Sequence, residues 1–278
     1  MRIGVIAPGN MGAAVAQRLH ARGADVAVTL EGRSAASAKR ATGLAVKETE
    51  AALAGWADVL LSILPPGDAL ALARRVAPVL QGNPKKTFAD CNAVSPTTVK
   101  EIAAALPGVT FVDIGIIGGP PPPRGDDAGP RLYASGDCAE ALGKLRDWGI
   151  DLRPIPGGVG AASALKMSYA GITKGIIALG SAMALGATEA GAAEALRAEL
   201  ASSQPEVLRS LERGVPGMFD KAYRWVAEME EISDFLGAIP AASIYQGAAR
   251  LYEAIAKDQA APAPDGPVAR LVVFYQRK

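Results

Sequence analysis

Gly4-Val5-Ile6-Ala7-Pro8-Gly9-Asn10-Met11-Gly12 decides how the first half of the chain is read. Arg2–Ala7 is a short β-branched run, and an alanine-rich amphipathic stretch follows over about residues 10–22. The glycines therefore occupy a strand-to-helix turn. In such a turn Gly9 lets backbone approach a ligand, and Gly12 lets the helix pack closely on the strand. The free N–H groups at the helix start then present positive dipole to a phosphate. Pro8, Gly9, Asn10, Met11 and Gly12 are accordingly expected to hold the pyrophosphate of a dinucleotide. Ala7 stands where the first glycine of a GxGxxG fingerprint belongs, so the motif alone is weak. Its place on the first strand of a βαβ series strengthens it. The alternative is a tight turn with no ligand.

That series continues outward. Asp25–Leu30, Asp58–Ile63, Thr87–Ala89 and Thr110–Ile114 read as strands, with helical patterns near 34–43, 68–80 and 95–105. Alternation of this kind predicts a parallel sheet covered on both faces. Ser95 and Pro96 have the N-cap and N1 residues of a helix start. After Gly157-Gly158-Val159-Gly160 the strand signal fades, and Ala, Leu, Glu and Arg at helical spacing run on to about Lys257. The expected organisation is an α/β, Rossmann-type doubly wound domain over 1–157 and an all-helical domain over 158–278. A Pro-rich linker and tail begin after about 259, and Val268–Tyr275 reads as a strand whose pairing partner the sequence does not name. Glycines 171, 175, 180, 186 and 191 each cost about 1 kcal/mol in a helix interior relative to alanine. Close approach of another helix, from this chain or a second copy, is the expected reason. A homodimer is expected on that ground. Pro120–Pro123 followed by Arg124-Gly125-Asp126 reads as a stiff, then turning loop.

Length and composition narrow the function classes. A chain of 278 residues suggests about two domains. Lys+Arg 29 against Asp+Glu 28 gives no basic excess, which argues against nucleic acid as a partner. Cys91, Cys138 and the single His20 have no metal-ligand or triad spacing, so neither a metal site nor a Cys/His nucleophile is expected. No signal-peptide core precedes Asn10. The glycine-rich stretch 171–191, broken by Lys174 and Glu189, is expected to fall short of a membrane span. These readings together predict a cytoplasmic protein with reduced thiols and a small-molecule substrate.

The residues leave the cofactor's phosphate state open. Glu31 lies about where an acid would bond the ribose hydroxyls of NAD(H), while Arg33 and Ser34 suit the 2′-phosphate of NADP(H). Lys166, at the start of the first helix after the glycine hinge, could exchange a proton with an oxygen whose carbon exchanges hydride. Tyr169 and Thr173 share its helix stripe. On spacing alone an exposed helix lysine is the commoner case. Arg224 could aid a substrate carboxylate or form a surface ion pair with Glu228. Lys174 reads as solvated, and Asp90 and Asp113 as bonding loop backbone.

Several stretches, in this order, resemble the β-hydroxyacid dehydrogenases, a superfamily that includes 6-phosphogluconate dehydrogenases and imine reductases. They are Gly4–Gly12, Leu64-Pro65, Asp90-Cys-Asn92-Ala-Val-Ser95-Pro96, Phe111-Val-Asp113 through Gly118-Gly119, and Gly160 to Lys166. Leu30–Ser34, Leu165–Met167, Thr173–Gly175 and Tyr223–Glu230 look like a branch whose helical domain was long classed as of unknown function. The resemblance implies Lys166 as the proton-transferring residue and favours NADP(H), held by Arg33 and Ser34, with NAD(H) as the alternative. It sets the Gly118-Gly119 loop against the substrate. The nicotinamide is then expected near Leu64, Pro65, Asn92 and Lys166, and Ile117, Tyr169 and Arg224 are further candidate substrate residues. The family's serine before the paired glycines is Ile117 here, and its asparagine one turn after the lysine is absent. Imine reduction, or a non-catalytic NADP-binding sensor, are the alternative functions.

Overall fold

The computed structural model describes residues 1–276 apart from Asp126, Ala128 and Asp137. The chain divides after Met167 into two compact units, rather than at Gly157.

The first unit is built on one eight-stranded sheet. Its strands are β1 (Arg2–Ile6), β2 (Asp25–Thr29), β3 (Ala45–Lys47), β4 (Val59–Ser62), β5 (Thr87–Asp90), β6 (Thr110–Ile117), β7 (Arg131–Ser135) and β8 (Asp151–Pro154). They lie in the order β3-β2-β1-β4-β5-β6-β7-β8. Only the β6–β7 pair is antiparallel. Helices α1 (Asn10–Ala21), α2 (Ala35–Arg40), α3 (Glu50–Trp56), α4 (Ala69–Leu80) and α5 (Pro96–Ala104) connect the first six strands. The pleat sorts the core into two layers. Ile3, Val5, Val59 and Leu61 join Val15 and Leu19 of α1 on one face. Ile6, Leu60 and Phe88 join Leu53 of α3, Leu72 and Val76 of α4, and Val99 and Ile102 of α5 on the other. Gly4 sits under α3, where a Cβ would come within 2.9 Å of Leu60.

The five expected strands are present, Thr110–Ile114 being extended to Ile117. The short β3, α3, β7, β8 and a 3-10 segment Ala139–Trp148 lie outside the expected pattern. Of the expected loop near 120–127, Asp126 lies outside the described residues. The guanidinium of Arg18, buried in α1, donates to the carbonyls of Pro122 and Asp127.

The second unit begins within α6 (Ala161–Glu189) and continues through α7 (Ala193–Ser203), α8 (Pro205–Gly214), α9 (Ala222–Leu236), α10 (Ala242–Ala260) and α11 (Pro267–Gln276). Trp225 of α9 meets Tyr252 of α10 edge-on at 5.2 Å. The buried Tyr252 donates its hydroxyl to the Lys174 carbonyl at 2.6 Å. Gly171 and Gly180 of α6 are explained by close neighbours within the chain, whereas a Cβ on Gly186 would meet nothing within 4 Å. A Cβ on Gly171 would meet the Tyr245 hydroxyl at 3.0 Å, and one on Gly180 would strike Leu211 at 2.4 Å.

Two expectations are corrected in this unit. Val268–Tyr275 is helical, not a strand. The Asp258 carboxylate accepts the N–H groups of Ala263 and Val268, which turns the proline-rich stretch tightly into a capped helix start. Leu271, Phe274 and Tyr275 then fall on one buried face. Second, α6 is a continuous helix of 29 residues with a mean hydropathy of 1.4 over its most apolar window. By length and composition it is long enough and apolar enough to cross a membrane. The stretch 171–191 misled because the helix starts ten residues earlier.

Candidate active site

The turn after β1 meets the geometric demands of a phosphate cradle. A Cβ on Gly12 would lie 2.0 Å from the Ala7 carbonyl oxygen, so only glycine lets α1 sit this close to β1. A Cβ on Gly9 would meet no protein atom within 4 Å. The space in front of Gly9 is thus open to a ligand. Asn10, Met11 and Gly12 carry the N–H groups that a first helical turn leaves without intrahelical acceptors.

The next strands end beside this turn. In-register pairing aligns Ile6 with Ser62, Ser62 with Asp90, and Asp90 with Asp113. Asn92, buried just beyond β5, knits this edge together. Its Oδ1 accepts the Leu64 N–H at 2.6 Å, and its Nδ2 donates to Ser62 Oγ at 2.9 Å and to the Asp90 carboxylate. The amide is therefore committed to the protein and 3 % exposed. Asn92 thus ties the Leu64-Pro65 loop to Ser62 and Asp90 through its side-chain amide. Burial pushes the Asp90 carboxyl up to about 7, against donation from Asn92 and with a further upward push from Asp113. Burial likewise pushes the Cys91 thiol up, so it is a packing residue.

Asp113 lies inside β6 and is fully buried. Its carboxylate accepts the Gly160 N–H at 2.9 Å, the Ser163 N–H at 3.0 Å, the Ser163 hydroxyl at 2.8 Å and the Ser135 hydroxyl at 3.1 Å. Ser135 Oγ in turn accepts the Ala162 N–H at 2.9 Å. These bonds satisfy the free donors of the α6 start and place a carboxylate at its positive end. Asp113 thus clamps a helix, where the sequence suggested only loop bonding. One turn beyond the clamp, half-buried Lys166 lies over β6, its Cβ 3.2 Å from where a Cβ on Gly115 would be. Gly115 is two residues past the Ile6–Ser62–Asp90–Asp113 row, at the carboxyl edge of the sheet. Ligands of open α/β sheets bind at that edge.

Other expected substrate residues fare differently. Ile117 is only 8 % exposed, packed as the last residue of β6 opposite Arg131. Gly118 has φ +129, and a Cβ there would crowd Pro130 at 2.9 Å, so it serves the turn. Gly119 faces open space. Tyr169 and Arg224 belong to the second unit. Tyr169 is about half exposed, and Arg224 stacks over the Tyr223 ring at 5.7 Å. Glu228 pairs with Lys174, and the expected Arg224–Glu228 ion pair is not formed. Lys174 is thus ion-paired and lies 5.0 Å over the Trp225 ring, not solvated as expected.

At the end of β2, Glu31 accepts the Glu50 N–H at 2.7 Å. Glu50, almost buried, pairs with Arg33 at 3.2 Å and with Arg75 at 2.8 Å. Ser34 caps α2 by accepting the Ser37 N–H. Glu31, Gly32, Arg33, Glu50, Asp68 and Arg75 line a cavity of about 370 Å³. Glu50 and Arg75 had no signal in the sequence, because their meeting depends on α3 and α4 packing side by side. The buried Arg33 Nε has no hydrogen-bond partner among the described residues. With the open space before Gly9, that unmet donor fits an anionic dinucleotide. Among the described residues no three His, Cys, Asp or Glu side chains are grouped to hold a metal.

Residues 2–146 match the NAD-binding domain of 6-phosphogluconate dehydrogenase. The chain belongs to that family. Residues 187–255 match a second family, a domain of unknown function. A relative from Methanothermus fervidus, described as an uncharacterized 28.5 kDa protein in the 7S RNA 5′ region, is 30 % identical over 181 residues. The match spans 64 % of this chain and 68 % of the relative. Among solved structures, a conserved protein of unknown function described as similar to 3-hydroxyacid dehydrogenases is 28 % identical, with a TM-score of 0.71. It covers 93 % of this chain and 99 % of its own. The Salmonella typhimurium 3-hydroxyisobutyrate dehydrogenase has a TM-score of 0.68 at 19 % identity, covering 99 % and 100 % of the two chains. The family is one of NAD(P)-binding oxidoreductases, and this member has a fold like that of the 3-hydroxyacid dehydrogenases.

Proposed function

We propose that this family member is an NADP(H)-dependent oxidoreductase acting on a carbon that bears oxygen, with Lys166 as its general acid and base. The observation that carries the reading is Lys166 seated over Gly115 at the carboxyl edge of the sheet, its helix start clamped by Asp113. Bound NADP(H) would supply or accept the hydride at the reacting carbon. The lysine's part is the proton. Its ammonium donates to the oxygen as a carbonyl is reduced, and its neutral amine takes that proton back when an alcohol is oxidised. Pro8 to Gly12 would hold the pyrophosphate, Leu64 and Pro65 the nicotinamide side, and Arg33 and Ser34 the 2′-phosphate. Glu31 is engaged by the Glu50 N–H, which supports NADP(H) over NAD(H).

Ile117 in place of a hydroxyl donor favours a substrate less anionic than a simple hydroxy acid, and an imine is the second reading. Lys166→Ala tests the assignment. Loss of turnover with cofactor affinity retained supports it, and unchanged turnover overturns it. A non-catalytic sensor would have no turnover to lose against a panel of carbonyls and imines. We read the protein as cytoplasmic and homodimeric. The dimer reading is supported by Tyr169, Ile172, Ile176, Leu179 and Met183, exposed on α6 at alternating spacings of three and four.

A further inference from the structure

The proposed NADP(H) reading needs a cation for the 2′-phosphate, a group carrying nearly two negative charges. Arg33 alone is poorly placed to supply it. The cavity beside it is lined by three carboxylates, Glu31, Glu50 and Asp68, against two guanidiniums, Arg33 and Arg75. That lining has one more negative charge than positive, and Arg33 is already shared with the almost buried Glu50.

Arg40 differs. It projects from the last residue of α2 and meets only neutral acceptors. Its Nε donates to the Pro8 carbonyl at 3.3 Å, and its Nη2 to Ser37 Oγ at 3.1 Å. Ser37 Oγ lies 3.4 Å from Ser34 Oγ, and Ser34 directly follows Arg33. The Arg40 carbonyl accepts from Gln17 of α1, tying the end of α2 to the helix that starts at the glycine turn. The guanidinium therefore bridges the turn expected to hold the pyrophosphate and the serine pair at the start of α2. An adenosine ribose joining those two places must pass beside it. Among the described residues Arg40 has no carboxylate at ion-pair distance, so its charge is uncompensated.

We propose that Arg40 is the principal cationic contact of the cofactor's 2′-phosphate, with the Ser34 hydroxyl beside it and Arg33 held by Glu50 as a flanking group. This rests on the NADP(H) reading above. The test is fluorescence titration of the full-length protein with NADPH and NADH, for wild type, Arg40→Ala, Arg40→Lys and Arg33→Ala. Losing a charge-assisted contact predicts NADPH binding weakened ~10- to 100-fold in Arg40→Ala. NADH binding should stay within about twofold and thereby reports an intact fold, and Arg40→Lys should recover part of the NADPH affinity. Equal weakening of both cofactors would overturn the proposal, since Arg40 would then act through Pro8 on the turn. Selective NADPH loss in Arg33→Ala but not in Arg40→Ala would overturn it while leaving the NADP(H) reading intact. A wild type that binds NADH as tightly as NADPH would instead remove the NADP(H) reading, and this assignment with it.

Discussion

In the first unit Ser62, Asp90, Asn92, Asp113, Ser135 and Ser163 are buried polar side chains, and each has a hydrogen-bond partner. In the second, Tyr169, Ile172, Ile176, Leu179 and Met183 are apolar and about half or more exposed. The contrast separates two jobs. A buried polar web is expensive to desolvate and persists only if every member is satisfied, so it holds its groups rigidly. It surrounds the α6 start and the loops at the sheet's carboxyl edge, where Lys166 has to be positioned. The exposed stripe has no such web of buried polar partners. It leaves apolar area in water that a second copy would cover.

The largest effect expected from disturbing the first region is on turnover. Lys166→Ala should lower kcat by ~10²- to 10⁴-fold, measured against NADPH affinity in the same variant. Asp113→Ala strips the acceptor from several buried donors and should cost about 3–4 kcal/mol in urea unfolding. A loss under about 1 kcal/mol there would mean the web is not what holds α6.

Asp90 sharpens the comparison through pH. Its folded value is raised above the ordinary 3.8 to about 7, so the folded protein keeps a proton that the unfolded chain has released. The associated stability is fully present below about pH 4 and is lost as pH rises to about 7, by about 2–4 kcal/mol. Asp90→Asn should flatten that slope in thermal melts taken from pH 4 to 8, and an unchanged slope would assign the titration elsewhere.

In the second region, Leu179→Asp should weaken self-association by ~2 kcal/mol, or about 30-fold, in sedimentation equilibrium. A wild type that is already monomeric would break the contrast drawn here. The smallest effect belongs to the surface pair Arg2–Asp58, both side chains more than a third exposed. Asp58→Ala should change stability by less than about 1 kcal/mol.

Much of the first unit was legible because its signals are local. β-branched runs, the Ser95-Pro96 cap and the Gly9–Gly12 turn each specify backbone conformation over a few residues. Ala45–Lys47 had no such signal, being a three-residue edge strand. The helical tail was misread although Val268, Leu271, Val272 and Tyr275 already follow helical spacing. The proline-rich stretch before it looked like a linker, and nothing nearby announced that Asp258 would cap Val268. Asn92 is expected near the nicotinamide, and the structure bonds its side-chain amide to Leu64, Ser62 and Asp90; a motif does not say which way an amide is spent.

Lys166 became the favoured candidate only through the family resemblance, whereas the sequence by itself determined the βαβ order, the phosphate-type turn and the helical second half. These follow from period, caps and glycine placement, which act between near neighbours. Only the tertiary structure decided that Asp113 clamps α6, that Glu50 engages Arg33, that Glu228 pairs with Lys174, and that Arg40 meets no carboxylate among the described residues. Each of those depends on groups from separate elements meeting at hydrogen-bonding distance. Packing and desolvation select such pairings over the whole chain, and no local pattern encodes them.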